Sequence, residues 1–262
     1  MTDPTATTVK TMSTNLTTAA PEGITETLNL ERVRSWSAPE PQWLRQRRLH
    51  AWEVYEKTAM PSTRSEEWRY TDLKKKLELD SLQWPELVEC EDDFAACPDG
   101  LQVAMLADHA ASGHMWEIDG IIFHEDLDDG LREKGVVLTS LRKAMDAHAD
   151  LLQMHLGTEA LPPEEGKFEA LNGALWTDGI LLYVPAGVRL DLPVRVTRWV
   201  SQEGVALFSR TLIVAEAGSQ VSFVDEVLSE DMEEQTLVSN AVEVLARDGA
   251  QVQYVSLQRL GH

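Results

Sequence analysis

The residue types that most often perform chemistry are sparse in this sequence of 262 residues, and few of them lie at informative spacings. Its two cysteines, Cys90 and Cys97, are separated by six residues in an acidic stretch. That spacing differs from the Cys-x-x-Cys of redox and zinc motifs, and no histidine lies close enough in sequence to complete a zinc set. We expect two ordinary reduced cysteines and a cytoplasmic setting.

Histidine and acidic residues also lack a metal-binding pattern. The acidic run 125–129 follows His124 and precedes Gly130, where consecutive carboxylates are more often a solvated turn than a cation site. His148 and His155 are seven positions apart, whereas zinc-binding helices usually carry an i, i+4 pair. Nucleophile elbows, phosphate-binding loops and dinucleotide fingerprints are absent. The sequence therefore predicts no catalytic, cofactor-binding or metal-binding residue.

The overall composition excludes several classes of protein. Acidic residues outnumber basic ones 44 to 23, which gives a net charge of −21. Nucleic acid and anionic membrane are therefore poor partners, because both require a basic footprint. A hydrophobic fraction of 43% is ordinary for a globular protein. No uninterrupted apolar run reaches the roughly 18 residues of a membrane-spanning helix.

Three regions are predicted before residue 180. Residues 1–27 are rich in threonine and are predicted to be a disordered tail. Residues 28–84 are predicted to form an N-terminal helical region, and residues 85–179 a mixed α/β connecting region with a helix over 138–156. In the helix that follows Pro41, an apolar stripe is formed by Leu44, Ala51, Trp52 and Tyr55.

Two groups in the helical region admit alternative interpretations. Arg45, Arg47 and Arg48 form either a docking patch for an acidic partner or, as we favour, a solvated face with local ion pairs. The run PSTRSEEWRYTDL covers residues 61–73. We expect Trp68 and Tyr70 to anchor this polar segment on a core, with binding through them as the alternative.

From residue 180 the sequence repeats at a fixed interval. Three segments align on Gly187, Gly218 and Gly249, which are spaced by 31 residues, and apolar residues recur in register on both sides of each glycine. Repeats of this kind stack strand on strand. We predict a mainly β protein with α, in which residues 180–262 are the first coils of a right-handed parallel β-helix, a solenoid core that is apparently C-terminally truncated. An antiparallel sandwich is the alternative.

Two parts of the sequence resemble a known family. The segment SAPEPQWLRQRRLHAWEVYEKTAMPSTRSEEWRYTDL over residues 37–73 resembles the N-terminal region of the SufB/SufD family of iron–sulfur cluster assembly proteins, with the closer likeness to its SufD branch. LLYVPAGVRLDLPVRV over 181–196 and LIVAEAGSQVSFVDE over 212–226 are similar to the core of that family. The resemblance covers roughly residues 37–260.

The resemblance implies a non-enzymatic scaffold subunit. Family members pair with a SufB-type scaffold and a SufC-type ATPase, receive sulfur from sulfur-delivery proteins, and build an iron–sulfur cluster transiently in the complex. We expect no cofactor bound by this chain itself and no transferable site residue, since family members run well past 262 residues. An open end of the β-helix would also permit self-association.

Two rival functions remain open. The first is a SufB-type paralogue of the same complex. The second is a β-helical enzyme acting on acidic polysaccharide, which requires carboxylates converging on one face of the solenoid. Four acidic residues are available, but they do not recur at a common position of the repeat: Asp178, Asp191, Asp225 and Glu226.

Overall fold

A computed structural model describes residues 27–87, 97–106 and 110–261. The tail predicted for residues 1–27, except Thr27, and the cysteine at position 90 lie outside these ranges. The helices are α1 Leu30–Trp36, α2 Gln42–Lys57, α3 Leu73–Lys76, α4 Asp99–Leu106, α5 Asp129–Glu133, α6 Leu141–Ala147, α7 Ala149–His155 and α8 Lys167–Leu175. The strands are β1 Gly113–Ile118, β2 Ile121–Leu127, β3 Val137–Ser140, β4 Asp178–Val184, β5 Val194–Val200, β6 Ala206–Ala215, β7 Gln220–Ser229, β8 Leu237–Ala246 and β9 Gln251–Arg259.

The strands form two mixed sheets. The five-stranded sheet has the order β2-β1-β5-β7-β9, and the four-stranded sheet has the order β3-β4-β6-β8. The pairs β1–β2 and β3–β4 are antiparallel, while the remaining neighbours are parallel. No helix among the described residues is both long and apolar enough to cross a bilayer.

The predicted right-handed parallel β-helix is wrong, because the structure shows two separate mixed sheets that do not close. The repeat does locate parallel neighbours: Ile180 pairs with Thr211 and Val221 pairs with Val252, each at the interval of 31 residues. Its glycines lie in turns with φ of 69° to 72°, which other residues adopt at a cost. However, β1, β2 and β3 precede the repeat. β1 and β2 pair with each other in antiparallel orientation, and β3 pairs in antiparallel orientation with β4 at the edge of its sheet. The periodicity predicts neither of these pairings.

The molecule has three layers. The helices pack on the four-stranded sheet, and the four-stranded sheet packs on the five-stranded sheet. One apolar cluster lies between the sheets and includes Met115, Phe223 and Ile213. A second cluster lies between the four-stranded sheet and the helices, and includes Trp52 of α2 and Leu212 of β6. Every residue of β6 is buried, because this strand is covered on both faces.

The helix predicted over 138–156 is divided into three elements. Residues Val137–Ser140 form β3, and α6 begins only after Ser140, whose hydroxyl accepts a hydrogen bond from the N–H of Lys143. This N-cap satisfies a donor that the first turn would otherwise leave free. The backbone leaves the helical region again at His148, with φ −137° and ψ 35°, which separates α6 from α7.

Candidate functional site

A buried group of charged and hydroxyl side chains joins the two sheets around Arg198 of β5. The Nε of Arg198 donates to Asp225 Oδ1 at 2.7 Å, and Nη1 donates to Glu117 and to Ser209 Oγ. Nη2 donates to Thr211 Oγ1 at 2.8 Å and to Asp225 Oδ2 at 3.4 Å. We call these five residues the Arg198 cluster. It ties β1, β5 and β7 of one sheet to β6 of the other.

Electrostatics keep the arginine of this cluster charged. Burial by itself lowers the pKa of the Arg198 guanidinium, but attraction to Asp225 and Glu117 outweighs it, so the pKa is raised. Burial raises the pKa of Glu117 despite the nearby guanidinium. Tyr254 of β9 donates its hydroxyl to Asp225 Oδ2 at 2.8 Å, and burial and the Asp225 charge raise its pKa. The polar network therefore extends from the interior to the last strand.

The Arg198 cluster is suited to positioning strands and not to binding a ligand. A guanidinium has five N–H donors, and the five hydrogen bonds described above use all of them. No donor is left for a substrate. A fully satisfied buried network of this kind fixes the relative placement of the elements that contribute to it.

A second buried ion pair fastens β8 to the helices. Arg210 of β6 donates through Nε to Glu243 of β8 at 2.6 Å and through Nη2 to the carbonyl oxygen of Leu161 at 3.0 Å. Glu243 also accepts the N–H of Gly157, at 2.8 Å to Oε2. The side-chain amide of Asn172 in α8 donates to a carbonyl oxygen on β6 and to another on β8. The position of β8 is thus coupled to the helical layer.

The outer sides of β8 and β9 are exposed strand edges, which we call the open edge. In β9 the N–H of Gln251 bonds to the β7 side, at Ser219 O. Because N–H groups alternate in direction along a strand, those of Val252, Tyr254, Ser256 and Gln258 face away from β7. Outward N–H and C=O groups are a template for pairing with another strand.

Side chains along β9 add contact surface to this edge. Leu257 is 41% exposed and Leu260 is 49% exposed. A cavity of about 500 Å³ is lined by Leu257, Gln258 and Arg259 together with Arg195 and Glu226. Arg259 forms an ion pair with Glu226. The edge therefore offers backbone hydrogen bonds, apolar area and charge at one place.

The residues considered for metal binding are dispersed. Cys97 is buried beside Leu101. The ring of His124 stacks on Trp116 with centroids 4.1 Å apart, and Glu125 accepts the N–H of Ser140. In the part of the chain that the structure describes, no group of three or more histidine, cysteine or acidic residues is placed to hold a metal ion.

The four acidic residues considered for polysaccharide chemistry have separate partners. Asp178 accepts backbone N–H groups at the start of β4, Asp225 belongs to the Arg198 cluster, and Glu226 pairs with an arginine of β9. Asp191 is exposed in the turn before β5. Three of the four are buried and only Asp191 is exposed, so they do not form one solvent-facing group, and the geometry gives no support to that rival function.

The expectation of a solvated arginine face on α2 is wrong for Arg48. This side chain is completely buried, forms a bidentate pair with Glu40 at 2.7 and 2.8 Å, and lies 3.9 Å from the ring centroid of Trp176. Arg47 donates to carbonyl oxygens at the C-terminal end of α7. The sequence indicates the burial of Arg48, because this residue lies at helical spacing between Leu44 and Trp52 on the apolar stripe.

Comparison with known proteins identifies the family. The model described as "SufBD protein N-terminal region" matches residues 28–196, and the model described as "SUF system FeS cluster assembly, SufBD core domain" matches residues 198–262. The chain belongs to the SufBD family. This confirms the family resemblance of the three sequence segments and associates the chain with the SUF system of iron–sulfur cluster assembly.

Curated SufBD relatives agree with this assignment. The chain is 27% identical over 241 residues to an iron–sulfur cluster assembly SufBD family protein of Staphylococcus haemolyticus, covering 90% of the chain and 50% of that relative. It is 26% identical over 241 residues, with the same two coverages, to such proteins of Staphylococcus saprophyticus and Staphylococcus aureus. The SufBD chain thus spans about half the length of the curated relatives it matches.

Proposed function

We propose that this SufBD chain is a non-catalytic scaffold subunit of a cytoplasmic iron–sulfur cluster assembly complex. In this proposal it pairs with a SufB-type scaffold and a SufC-type ATPase and works with sulfur-delivery proteins. The iron–sulfur cluster is cargo that the complex builds transiently. The run Glu66-Glu67-Trp68-Arg69-Tyr70 and its continuation favour the SufD branch over the SufB paralogue.

The match of the two SufBD family models over residues 28–196 and 198–262 is the observation that carries this proposal. The open edge shows where a further strand can pair, because the outer backbone groups of β8 and β9 face away from the described residues, with the exposed Leu257 in β9 and Leu260 directly after it. Edge strands of this length are usually covered in native proteins, because unpaired edges promote aggregation. A strand added here, whether by a further part of the same protein or by a partner, gains main-chain hydrogen bonds and apolar contact at once.

The interior of the described chain supports a structural role over a catalytic one. Arg198 and Arg210 lie in buried ion pairs that connect strands, and all five donors of Arg198 are occupied. A catalytic group needs capacity to contact substrate. These arginines instead hold β8 and β9 in the positions where the open edge is presented.

Co-purification with partner subunits tests the proposal. The chain would be expressed anaerobically with SufB-type and SufC-type subunits of the same source, isolated through a tag on the SufB-type subunit, and weighed by native mass spectrometry. The informative variant is Ser256→Pro, because the N–H at this position faces outward and proline is tolerated at the open side of an edge strand. Ser256→Ala is the matched control.

We expect the wild type and Ser256→Ala to co-purify at a fixed stoichiometry and Ser256→Pro to be lost from the complex. Retention of Ser256→Pro would show that partners do not bind the open edge. Failure of both this chain and a longer form from the same source to co-purify would refute the scaffold proposal, and homodimers alone would replace it by self-association through the edge.

A further inference from the structure

Positive charge is concentrated in one stretch of this acidic chain. Residues 57–76 contain six of the 23 basic residues and only three of the 44 acidic residues. That balance is +3 within a chain of net charge −21. All six basic side chains are exposed, and we call them the basic surface: Lys57, Arg64, Arg69, Lys74, Lys75 and Lys76.

Local structure displays this stretch on the outside of the helical layer. Helix α2 ends at Lys57, and the segment then continues through a 3₁₀ turn at Glu66–Trp68 to the short helix α3. Trp68 packs on Phe168 of α8 with ring centroids 5.7 Å apart and both rings are half-buried, in keeping with the expectation that Trp68 anchors the segment. The same expectation is wrong for Tyr70, which is 85% exposed.

Three of the six side chains of the basic surface form no ion pair with an acidic side chain among the described residues. Arg69 pairs with Glu66, and Lys75 pairs with Asp72 at 3.2 Å. Within the ranges that the structure describes, Arg64, Lys74 and Lys76 form no ion pair. Unpaired, exposed cations on an acidic protein attract an acidic ligand at long range and cost nothing to expose.

A groove of about 740 Å³ opens beside the basic surface. Its apolar lining comes from Tyr55, Met60, Leu73 and Leu77, and Lys74 belongs both to the groove and to the basic surface. Lys167 holds Tyr55 in place at the wall of the groove. Its ammonium group donates to the carbonyl oxygen of Tyr55 at 2.5 Å and lies 3.7 Å from the centroid of the Tyr55 ring. The volume is that of a site for one or two apolar side chains with neighbouring backbone.

We propose that the basic surface and the groove together dock a short acidic segment of a partner protein that carries an apolar anchor. The anchor enters the groove, and the flanking carboxylates of the partner lie over Lys74, Lys76 and Arg64. Glu78 and Asp80 also line the groove, so they repel carboxylates or phosphates inside it and require the buried part of the ligand to be apolar.

The same features disfavour nucleic acid and membrane. Both are extended polyanions that contact a large area, and beyond this limited surface the chain is strongly acidic. A short acidic peptide meets the positive surface without facing the remaining negative charge. The proposal does not depend on which SUF subunits bind the open edge, since it concerns a different surface.

Fluorescence anisotropy with a defined probe tests the proposal. The probe is a fluorescein-labelled peptide with a central Leu-Phe pair flanked by glutamates, and its two controls replace the glutamates by glutamines or the Leu-Phe pair by serines. The binding variant is Lys74→Glu with Lys75→Glu and Lys76→Glu. The matched control reverses three exposed charges elsewhere, at Arg132, Lys134 and Arg189.

We expect the wild type and the matched control to bind the probe, and the lysine variant to bind about tenfold more weakly or less. Raising sodium chloride from about 0.1 M to about 1 M, which shortens the Debye length from about 10 Å to about 3 Å, is expected to weaken binding. Both control peptides are expected to bind more weakly than the probe.

Three outcomes overturn the proposal. Equal loss in the lysine variant and the matched control would mean that only net charge matters. Unchanged binding by the lysine variant would exclude the basic surface, and co-sedimentation with phosphatidylglycerol vesicles in the absence of peptide binding would indicate a membrane surface instead. Unchanged circular dichroism spectra of both variants establish that each remains folded.

Discussion

Asp178 provides a test of how the buried charges of this SufBD chain control its stability. It is the first residue of β4 and only 2% of it is exposed. Its Oδ1 accepts the N–H of Gly179 at 2.8 Å and the N–H of Arg142 at 3.1 Å. Burial raises the pKa of this carboxyl to about 7, although the two hydrogen bonds and the charge of Arg142 act in the opposite direction.

The sign of the pH dependence follows from this raised pKa. Between the ordinary value of 3.8 and about 7, the folded chain retains the proton on Asp178 while the unfolded chain releases it. The unfolded state therefore binds fewer protons, and the free energy of unfolding falls as pH rises through this window. Three pKa units at 1.36 kcal/mol each correspond to about 4 kcal/mol.

The variant Asp178→Asn removes this titration and keeps an oxygen that can accept both N–H groups. Urea unfolding monitored by tryptophan fluorescence from about pH 4 to about pH 8 gives the free energy of unfolding of both chains. We expect the variant to gain about 4 kcal/mol relative to the wild type as pH rises to about 7, and the difference to be constant above that pH.

Asp191→Asn is the matched control, because Asp191 is exposed and its removal leaves the buried charges unchanged. It reports the effect of replacing one exposed carboxylate by an amide in the same chain. A flat difference for Asp178→Asn would refute the reasoning, since it would mean that the carboxyl is ionised in the folded chain throughout. A difference of the opposite slope would show that the hydrogen bonds outweigh burial.

Two further predictions concern the junctions between strands. Arg198→Met leaves Glu117 and Asp225 buried without a countercharge and is expected to reduce the free energy of unfolding by about 3–5 kcal/mol; an unchanged urea midpoint would contradict this. Gly179→Ala places a Cβ 1.7 Å from the carbonyl oxygen of the paired residue on β6, whereas the turn residue Gly218 has open space and φ of 69°. We therefore expect Gly179→Ala to prevent soluble expression and Gly218→Ala to cost only about 1–2 kcal/mol in urea unfolding; equal losses would contradict the steric argument.

Local patterns were sufficient for the parts of the fold that depend on neighbours in sequence. The stripe of Leu44, Ala51 and Trp52 predicts α2 and its buried face. The 31-residue interval predicts which strands of the repeat pair in parallel. The solenoid was wrongly inferred, because β1, β2 and β3 precede the repeat and pair through contacts that no repeat position specifies. Likewise, the apolar periodicity over 138–156 predicts one helix, but the hydroxyl of Ser140 caps α6, and the helix begins only after that residue.

The sequence contains a signal for the Arg198 cluster that a count of apolar periodicity does not detect. Along β5, Val194, Val196 and Arg198 are alternate residues, so the arginine occupies an inward position. Asp225 follows Phe223 in the same phase on β7. Charges of opposite sign at inward positions of paired strands predict a buried ion pair, since an isolated buried charge is too costly. The pairing itself joins residues 27 positions apart and needs the register of the strands.

The proposed scaffold role would leave a different trace in the sequence from the one that an enzymatic role leaves. Catalytic side chains converge, and their types and spacing leave a pattern even before the fold is known. Among the described residues, the polar groups of the Arg198 cluster form strand-to-strand contacts, and the surfaces proposed for partners are a strand edge and a stretch of exposed lysines. A strand edge is made of backbone, which every sequence possesses, so only the order of strands reveals it. The family resemblance therefore supports the proposed function, and these two surfaces are the places where experiments can test it.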